Sequence, residues 1–294
     1  MKNALRCFSH LFIASIFSTM LFIDNVSAES DALDEADLWA GIAEDIDEAP
    51  GYEDPADKDR NWTVSIGLSG GVSPDYEGSD DYDFGYGPNI SASWRDIIFY
   101  KGKTLGANII NDKNFKTGPI LSWASGRDED DNDNLDGLGD IDSSVEAGGY
   151  VAYRKETLRF RAEVRQDIGS GHDGALVELQ GGTTLPFENP RVFVGLGTTW
   201  ASDKYMESYF GINSRQSAAS GYERYNAESG IKDVNVSMTG GYSITNRWRI
   251  GGMLMYKRLV GDAADSPIVE DKNQFIMGLG ISYHMGSKNL QEEQ

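Results

Sequence analysis

Residues Leu158 to Ile168 alternate between apolar and polar side chains: Leu-Arg-Phe-Arg-Ala-Glu-Val-Arg-Gln-Asp-Ile. Side chains on a β-strand point to opposite faces with period two. Leu158, Phe160, Ala162 and Val164 therefore share one face, and Arg159, Arg161, Glu163 and Arg165 share the other. A soluble sheet would bury the first face and wet the second. The same dyad recurs along the chain in segments of roughly ten residues, the length a tilted strand needs to cross a bilayer. Trp62, Val64, Ile66 and Leu68 alternate with Thr63, Ser65, Gly67 and Ser69. Val145, Ala147, Val151 and Tyr153 follow the pattern, as do Val192, Val194, Leu196 and Trp200. Trp248, Ile250, Leu254 and Tyr256 repeat it, then Phe275, Met277, Leu279, Ile281 and Tyr283. Aromatic residues near strand ends suit the two interfacial girdles of a membrane barrel. The fold class expected is all-β: a transmembrane antiparallel up-and-down β-barrel, apolar towards lipid and polar towards the lumen.

Residues 1–28 have the pattern of a secretory signal peptide. Lys2 and Arg6 form its basic start, Leu11 to Ile23 its apolar stretch, and Val26-Ser27-Ala28 a small-residue cleavage site, with cutting after Ala28. The apolar stretch is shorter than the roughly 20 residues of a spanning helix. Cys7 precedes it and leaves with it, so the mature chain has no thiol for a disulfide, a metal or a nucleophile. No later apolar run is long enough for a spanning helix, and mean hydropathy is −0.44. That excludes a helical inner-membrane protein but not a barrel, whose alternating strands average to neutrality. The formal charge of −21 argues against a nucleic-acid partner. Acidic loops suit cation bridging to lipopolysaccharide, and equally suit plain solvation.

Residues 29–60 stand apart, crowded with Asp and Glu and opposed only by Lys58 and Arg60. Leu38, Trp39, Ile42 and Ile46 fall at helical spacing, and Pro50-Gly51 stops a helix. A short acidic amphipathic helix with a flexible linker is one reading of this periplasmic extension, and disorder is the other. The barrel should occupy 61–286, with 287–294 a C-terminal tail. Bacterial barrels have short periplasmic turns, long external loops and an even strand number. Back from a last strand at about 274–285, Gly261–Asn273 is long, Thr245-Asn246 short and Asp203–Gly230 very long. Pro186–Pro190 is short, Gly169–Gly174 intermediate, Lys155–Thr157 short, and Asp128–Ile141 long. Ser73–Asp83 is external by the same alternation. Parity then requires two or four strands between 84 and 127. Turn signals at Trp94-Arg95-Asp96, Lys101-Gly102-Lys103 and Asn111–Asn114 favour four, hence twelve in all, with ten the alternative.

The loop sequences carry a resemblance. Ser73-Pro-Asp-Tyr-Glu-Gly-Ser-Asp-Asp-Tyr-Asp83, Gly126-Arg-Asp-Glu-Asp130 and Leu138-Gly-Asp-Ile-Asp142 resemble the MipA/OmpV family of outer-membrane proteins. So do Gly171-His-Asp-Gly174, Tyr205-Met-Glu-Ser-Tyr-Phe-Gly211, Gln216-Ser-Ala-Ala-Ser-Gly221 and Gly261-Asp-Ala-Ala-Asp-Ser-Pro267. The resemblance spans about 62–285 and implies an outer-membrane barrel. For some members it implies a scaffold between a murein lytic transglycosylase and a bifunctional murein synthase. The acidic 29–60 segment is not part of the family pattern. The last strand ends Ile281-Ser-Tyr-His-Met285, where the pattern closes on an aromatic residue.

Candidate chemistry is sparse. Asp128–Asp142 has carboxylates enough for a hard cation. Yet an EF-hand frame from Asn132 places Gly137 correctly and then meets Ser143 where the bidentate Glu belongs. His172-Asp173 is a base beside a carboxylate, but no Gly-x-Ser-x-Gly nucleophile motif accompanies it. Glu146, Arg154, Arg159, Arg161, Glu163, Arg165 and Glu178 should face one stretch of lumen. There they form either a neutralising charge network or the selectivity ring of a channel. The Asp203–Gly230 loop holds Tyr205, Met206, Tyr209, Phe210, Tyr222 and Tyr225, either folded inward or presented outward as an interaction surface. The reading is a monomeric barrel amid lipid and lipopolysaccharide, without enzymatic activity, cofactor or metal, serving as an envelope scaffold. A small-solute channel and an external-loop adhesin or receptor are the alternatives.

Overall fold

The computed structural model describes residues 60–288, Glu188 excepted. The signal peptide with its Ala28 cleavage site and all but the last residue of the expected acidic 29–60 extension lie outside the described residues, as does the tail beyond Lys288. Strands follow the chain as β1 (Arg60–Pro74), β2 (Tyr82–Trp94), β3 (Ile98–Lys101), β4 (Thr104–Ala107), β5 (Ile110–Asn111) and β6 (Phe115–Ala124). Then come β7 (Ser144–Lys155), β8 (Leu158–Asp167), β9 (Ala175–Thr184) and β10 (Arg191–Ala201). The last are β11 (Gly230–Ser243), β12 (Trp248–Leu259) and β13 (Asn273–Lys288). All pairings are antiparallel, and β1 closes the ring on β13. Because β4 pairs directly with β6, the two-residue β5 stands outside, and the wall has twelve strands. The short β3 and β4 occupy the two short segments in which turn signals favoured four strands over two.

The sequence dyad sets the facing. Leu158, Phe160 and Val164 are about half exposed on the outer surface, whereas Arg159 is buried against the lumen. Ile66, Leu68, Leu196, Leu254, Met277 and Leu279 stand outward on the other strands. Moving such a side chain from water into an apolar medium contributes about 1.5–3 kcal/mol. That band of outward apolar groups anchors the wall in a bilayer, where closing the ring satisfies the backbone hydrogen bonds. Among the described residues, no helix is long and apolar enough to cross a membrane.

Connections alternate in length except at the two-residue 102–103 turn, which joins the short β3 and β4. The turns at 95–97, 112–114, 156–157 and 244–247 are short. The loops at 75–81, 125–143, 202–229 and 260–272 are long. Long loops lie outside in such barrels, so the short turns and both chain ends are periplasmic. One part of the wall departs from regularity. Since β3 pairs with β2 only through Ser91–Trp94, the outer stretch Tyr82–Ile90 pairs with β1 alone. Pro88, which has no N–H to give, sits in that stretch, as proline does on edges.

Candidate functional site

The long loops close over the external mouth as a dome. Tyr76 from the first loop, Leu135 and Leu138 from the second, Ile212 from the third and Ile268 from the fourth form one buried cluster. The third loop supplies α1 (Asp203–Phe210) and α2 (Ser214–Ser220), and the fourth α3 (Gly261–Ala264). Met206 and Phe210 are four apart and so share the face of α1 that packs inward. They join Leu176, Ala201, Tyr205, Leu259 and Ala263 in a second core. Polar groups stitch the dome together. The Tyr76 hydroxyl donates to the Ile268 carbonyl at 2.9 Å and Ser266 to that of Phe210 at 2.6 Å. Gln216 Nε2 donates to the Leu138 carbonyl at 2.6 Å and Arg127 to that of Tyr209 at 2.9 Å.

The acidic 128–142 loop spends its side chains on its own backbone. Asp128 caps the 3-10 turn Glu129–Asp131, and Glu129 accepts the N–H groups of Gly137 and Gly139 at 3.0 and 2.8 Å. Among the described residues, no group of three or more His, Cys, Asp or Glu is placed to hold a metal ion. Dome burial also moves titrations. Burial, then the nearby Glu270 carboxylate, pushes the Tyr76 phenol up from its ordinary value. Burial raises the carboxyls of Asp75 and Glu270, with the Asp80 charge adding to the effect at Glu270.

Beneath the dome lies a layer of charge. His172, in the 168–174 connection, is 2 % exposed. Its Nδ1 accepts the Gly174 N–H at 3.0 Å, so Nε2 carries the proton and donates to Glu146 at 3.0 Å. Asp173, its neighbour in sequence, is not its partner: that carboxylate lies 3.9 Å from Lys204 at the surface. Tyr205 stands edge-on over the imidazole with ring centres 4.8 Å apart and stacks on Tyr209 at 4.5 Å. Gly174 permits this, because a Cβ there would lie 2.5 Å from the Tyr205 nitrogen. Burial, then the charges of Glu77 and Glu146, raises the Tyr205 phenol far above its usual range. Across the lumen a bulge opposite Thr199 and Trp200 turns the consecutive Lys232 and Asp233 both inward. Lys232 Nζ lies 2.5 Å from Glu77 and 3.1 Å from Asp233, with Lys257 3.5 Å from Glu77.

The charges expected from the sequence divide between two places. Arg165 pairs with Glu146 at 2.8 Å, Glu163 at 3.3 Å and Glu178, and Arg161 pairs with Glu163 at 2.6 Å. These contacts run from His172 down the inner wall of β8. Arg154 and Arg159 lie lower, lining a periplasmic cavity of about 90 Å³ together with Arg161. Arg154 donates to the Lys113 carbonyl at 3.3 Å, and the Arg159 guanidinium lies 5.7 Å from the Phe193 ring centre.

Of the two dispositions open to the aromatic loop, the structure shows the inward one. Tyr205, Met206 and Phe210 are buried, and Tyr209 and Tyr225 pack on the same core, with Tyr222 against the neighbouring one. Residue patterns alone passed over Glu77, Lys232 and Asp233. Glu77 lies within the Ser73–Asp83 stretch that marks the family, and that was the available signal.

Comparisons agree with this architecture. A profile of the MltA-interacting protein MipA family matches residues 66–285. Outer membrane protein Omp26La of Vibrio anguillarum is 23% identical over 76% of this chain and 86% of its own length. OmpV of Vibrio cholerae is 24% identical over the same shares. The MltA-interacting protein of Escherichia coli K12 is 24% identical over 64% of this chain and 77% of its own. The loop motifs that carried the resemblance are those whose Tyr76, Leu138, His172, Tyr205 and Ala263 interlock in and beneath the dome. A twelve-stranded barrel with outer-membrane relatives and a family match over most of its length, this chain is an outer-membrane protein and belongs to the MltA-interacting protein MipA family.

Proposed function

We propose that this protein is a non-enzymatic interaction protein of the outer membrane, whose periplasmic face engages a murein lytic transglycosylase. The carrying observation is that four loops share one core over the external mouth while ion pairs line the lumen beneath. Such an arrangement supports a rigid platform over an open solute channel, because both the dome and the charge layer obstruct flow. It supports a structural role over an adhesin too, since the loop aromatics are spent on internal packing. A non-catalytic role is supported by His172, whose Nδ1 and Nε2 are both engaged and shielded from solvent. The name of the E. coli relative supplies the partner class, and the family resemblance adds a bifunctional murein synthase as the second member. The apolar band is consistent with a monomer surrounded by lipid and lipopolysaccharide.

Pull-down of the folded barrel from detergent extracts should retain a murein transglycosylase, and planar-bilayer recordings should show no stable open pore. Steady conductance with no captured murein enzyme overturns this reading in favour of the channel.

A further inference from the structure

The periplasmic cavity has a chemistry that the scaffold role does not use. Its lining includes six cationic side chains, Lys101, Lys113, Lys116, Arg154, Arg159 and Arg161, against the carboxylates of Asp96 and Asp112. Lys116 pairs with Asp96 at 3.0 Å and Arg161 with Glu163 at 2.6 Å, so the lining keeps a cationic excess over the acids it already holds. Three of the cations sit over aromatic rings. Lys101 lies 4.7 Å from the Phe99 centre, Arg161 4.4 Å from that of Tyr150 and Arg159 5.7 Å from that of Phe193. Contacts of this kind hold long cationic chains in place and reduce the entropy lost when they meet an anion. A polyanion is the ligand such a surface recognises.

We propose that the occupant is this chain's own acidic segment, residues 29–59. It carries thirteen Asp and Glu against the single Lys58, densest at Glu44-Asp45-Ile46-Asp47-Glu48. The chain joins the wall at the right place. The Asn61 carbonyl accepts the Arg95 N–H at 2.9 Å, and Asp96, the next residue, lines the cavity. Glu48 lies twelve positions before Arg60, a reach of up to about 40 Å when extended. A tether this short holds the segment at an effective concentration of about millimolar. Charge complementarity and the point of attachment thus select the same occupant, and they do so independently of the proposed partner.

The test is disulfide trapping in the full chain, with Cys7→Ser removing the native thiol. Asp47→Cys is combined with Lys113→Cys at the cavity, or with Lys204→Cys at the external end as control. On oxidation of the folded, heat-modifiable protein, the Lys113 pair should crosslink several-fold more than the control. The yield should fall several-fold as salt rises from about 0.1 to about 1 M, where the screening length shrinks from about 10 to about 3 Å. It should fall similarly when Glu44→Gln, Asp45→Asn and Glu48→Gln neutralise the segment, changes that leave the wall untouched. Equal yields in the two pairs, or a yield indifferent to both salt and neutralisation, overturn the proposal. So does loss of the Lys113 crosslink on adding equimolar short polyglutamate. That outcome would mark a site for foreign acidic peptides, because a tethered occupant must outcompete a dilute one.

Discussion

His172 and Glu146, 26 residues apart in the chain, meet at 3.0 Å with their side chains 2 % and 1 % exposed. The contact ties the 168–174 connection to the inner wall of β7. It also holds the imidazole beneath Tyr205, so one buried hydrogen bond joins the lumen to the dome.

Removing that carboxylate should therefore be costly. Breaking a buried charged contact by deleting one partner costs about 3–5 kcal/mol, and Glu146→Ala should approach this because Arg165 loses a partner as well. Glu146→Gln still accepts from His172 and should cost less. Urea unfolding followed by heat-modifiable gel migration checks both. Equal stability in wild type and Glu146→Ala would show that the contact is dispensable.

Facing can be tested on β8. Phe160→Arg and Val164→Arg place a cation towards lipid and should cost about 2–4 kcal/mol near the bilayer midplane. Arg161→Leu, on the lumen side, should hinder assembly less. Folding yields into vesicles report the difference, and equal tolerance at the two sets would contradict the register observed here.

The dome should respond locally. Phe210 is completely buried, and Phe→Ala at such a site costs about 3–5 kcal/mol. Phe210→Ala should loosen the 202–229 loop without dissolving the ring, because the wall strands pair independently of it. Limited proteolysis of the folded variant should cut within this loop much faster than in wild type. An unchanged cleavage pattern would mean that the loop is held by other contacts.

Mild acid should tighten the same dome. Folding raises the carboxyl pKa values of Asp75 and Glu270, through burial first; the Asp80 charge adds to this at Glu270, while the Asn132 hydrogen bond opposes it at Asp75. A raised folded-state value means that the stabilisation is fully present below the ordinary values of 3.8 and 4.5 and is lost as pH rises through the folded ones. Loop proteolysis by an acid-tolerant protease, corrected for its own pH profile, should slow as pH falls from neutral into the carboxylate range. Glu270→Gln should flatten that dependence, and identical profiles for variant and wild type would count against the assignment.

The wall was legible in the sequence because period two survives wherever one face meets lipid: Leu158 to Val164 announces its own orientation. Loop lengths gave strand parity, and even the four-residue β3 and β4 left turn signals. The dome was not legible, since Tyr76, Leu135, Ile212 and Ile268 come from four loops with no shared period, and only tertiary packing unites them. The imidazole's partner was hidden for a related reason. Asp173 adjoins His172 in sequence, but the left-handed backbone at Asp173 accompanies a turn that leaves the ring facing Glu146. Strict alternation also misplaces one of Lys232 and Asp233, because the bulge that turns both inward leaves no mark in residue type.

External loops of barrels usually diversify one at a time, as each is free to lengthen or change without consulting the others. A common core over the mouth removes that freedom. Where Leu135 fits against Ile212 and Ile268, an enlargement in one loop must be matched by a reduction in another. Variation between relatives should then appear as correlated exchanges across loops, with independent drift confined to outward positions such as Lys204 and Asp173. A surface that confronts the outside world would thus evolve under the rules of a protein interior.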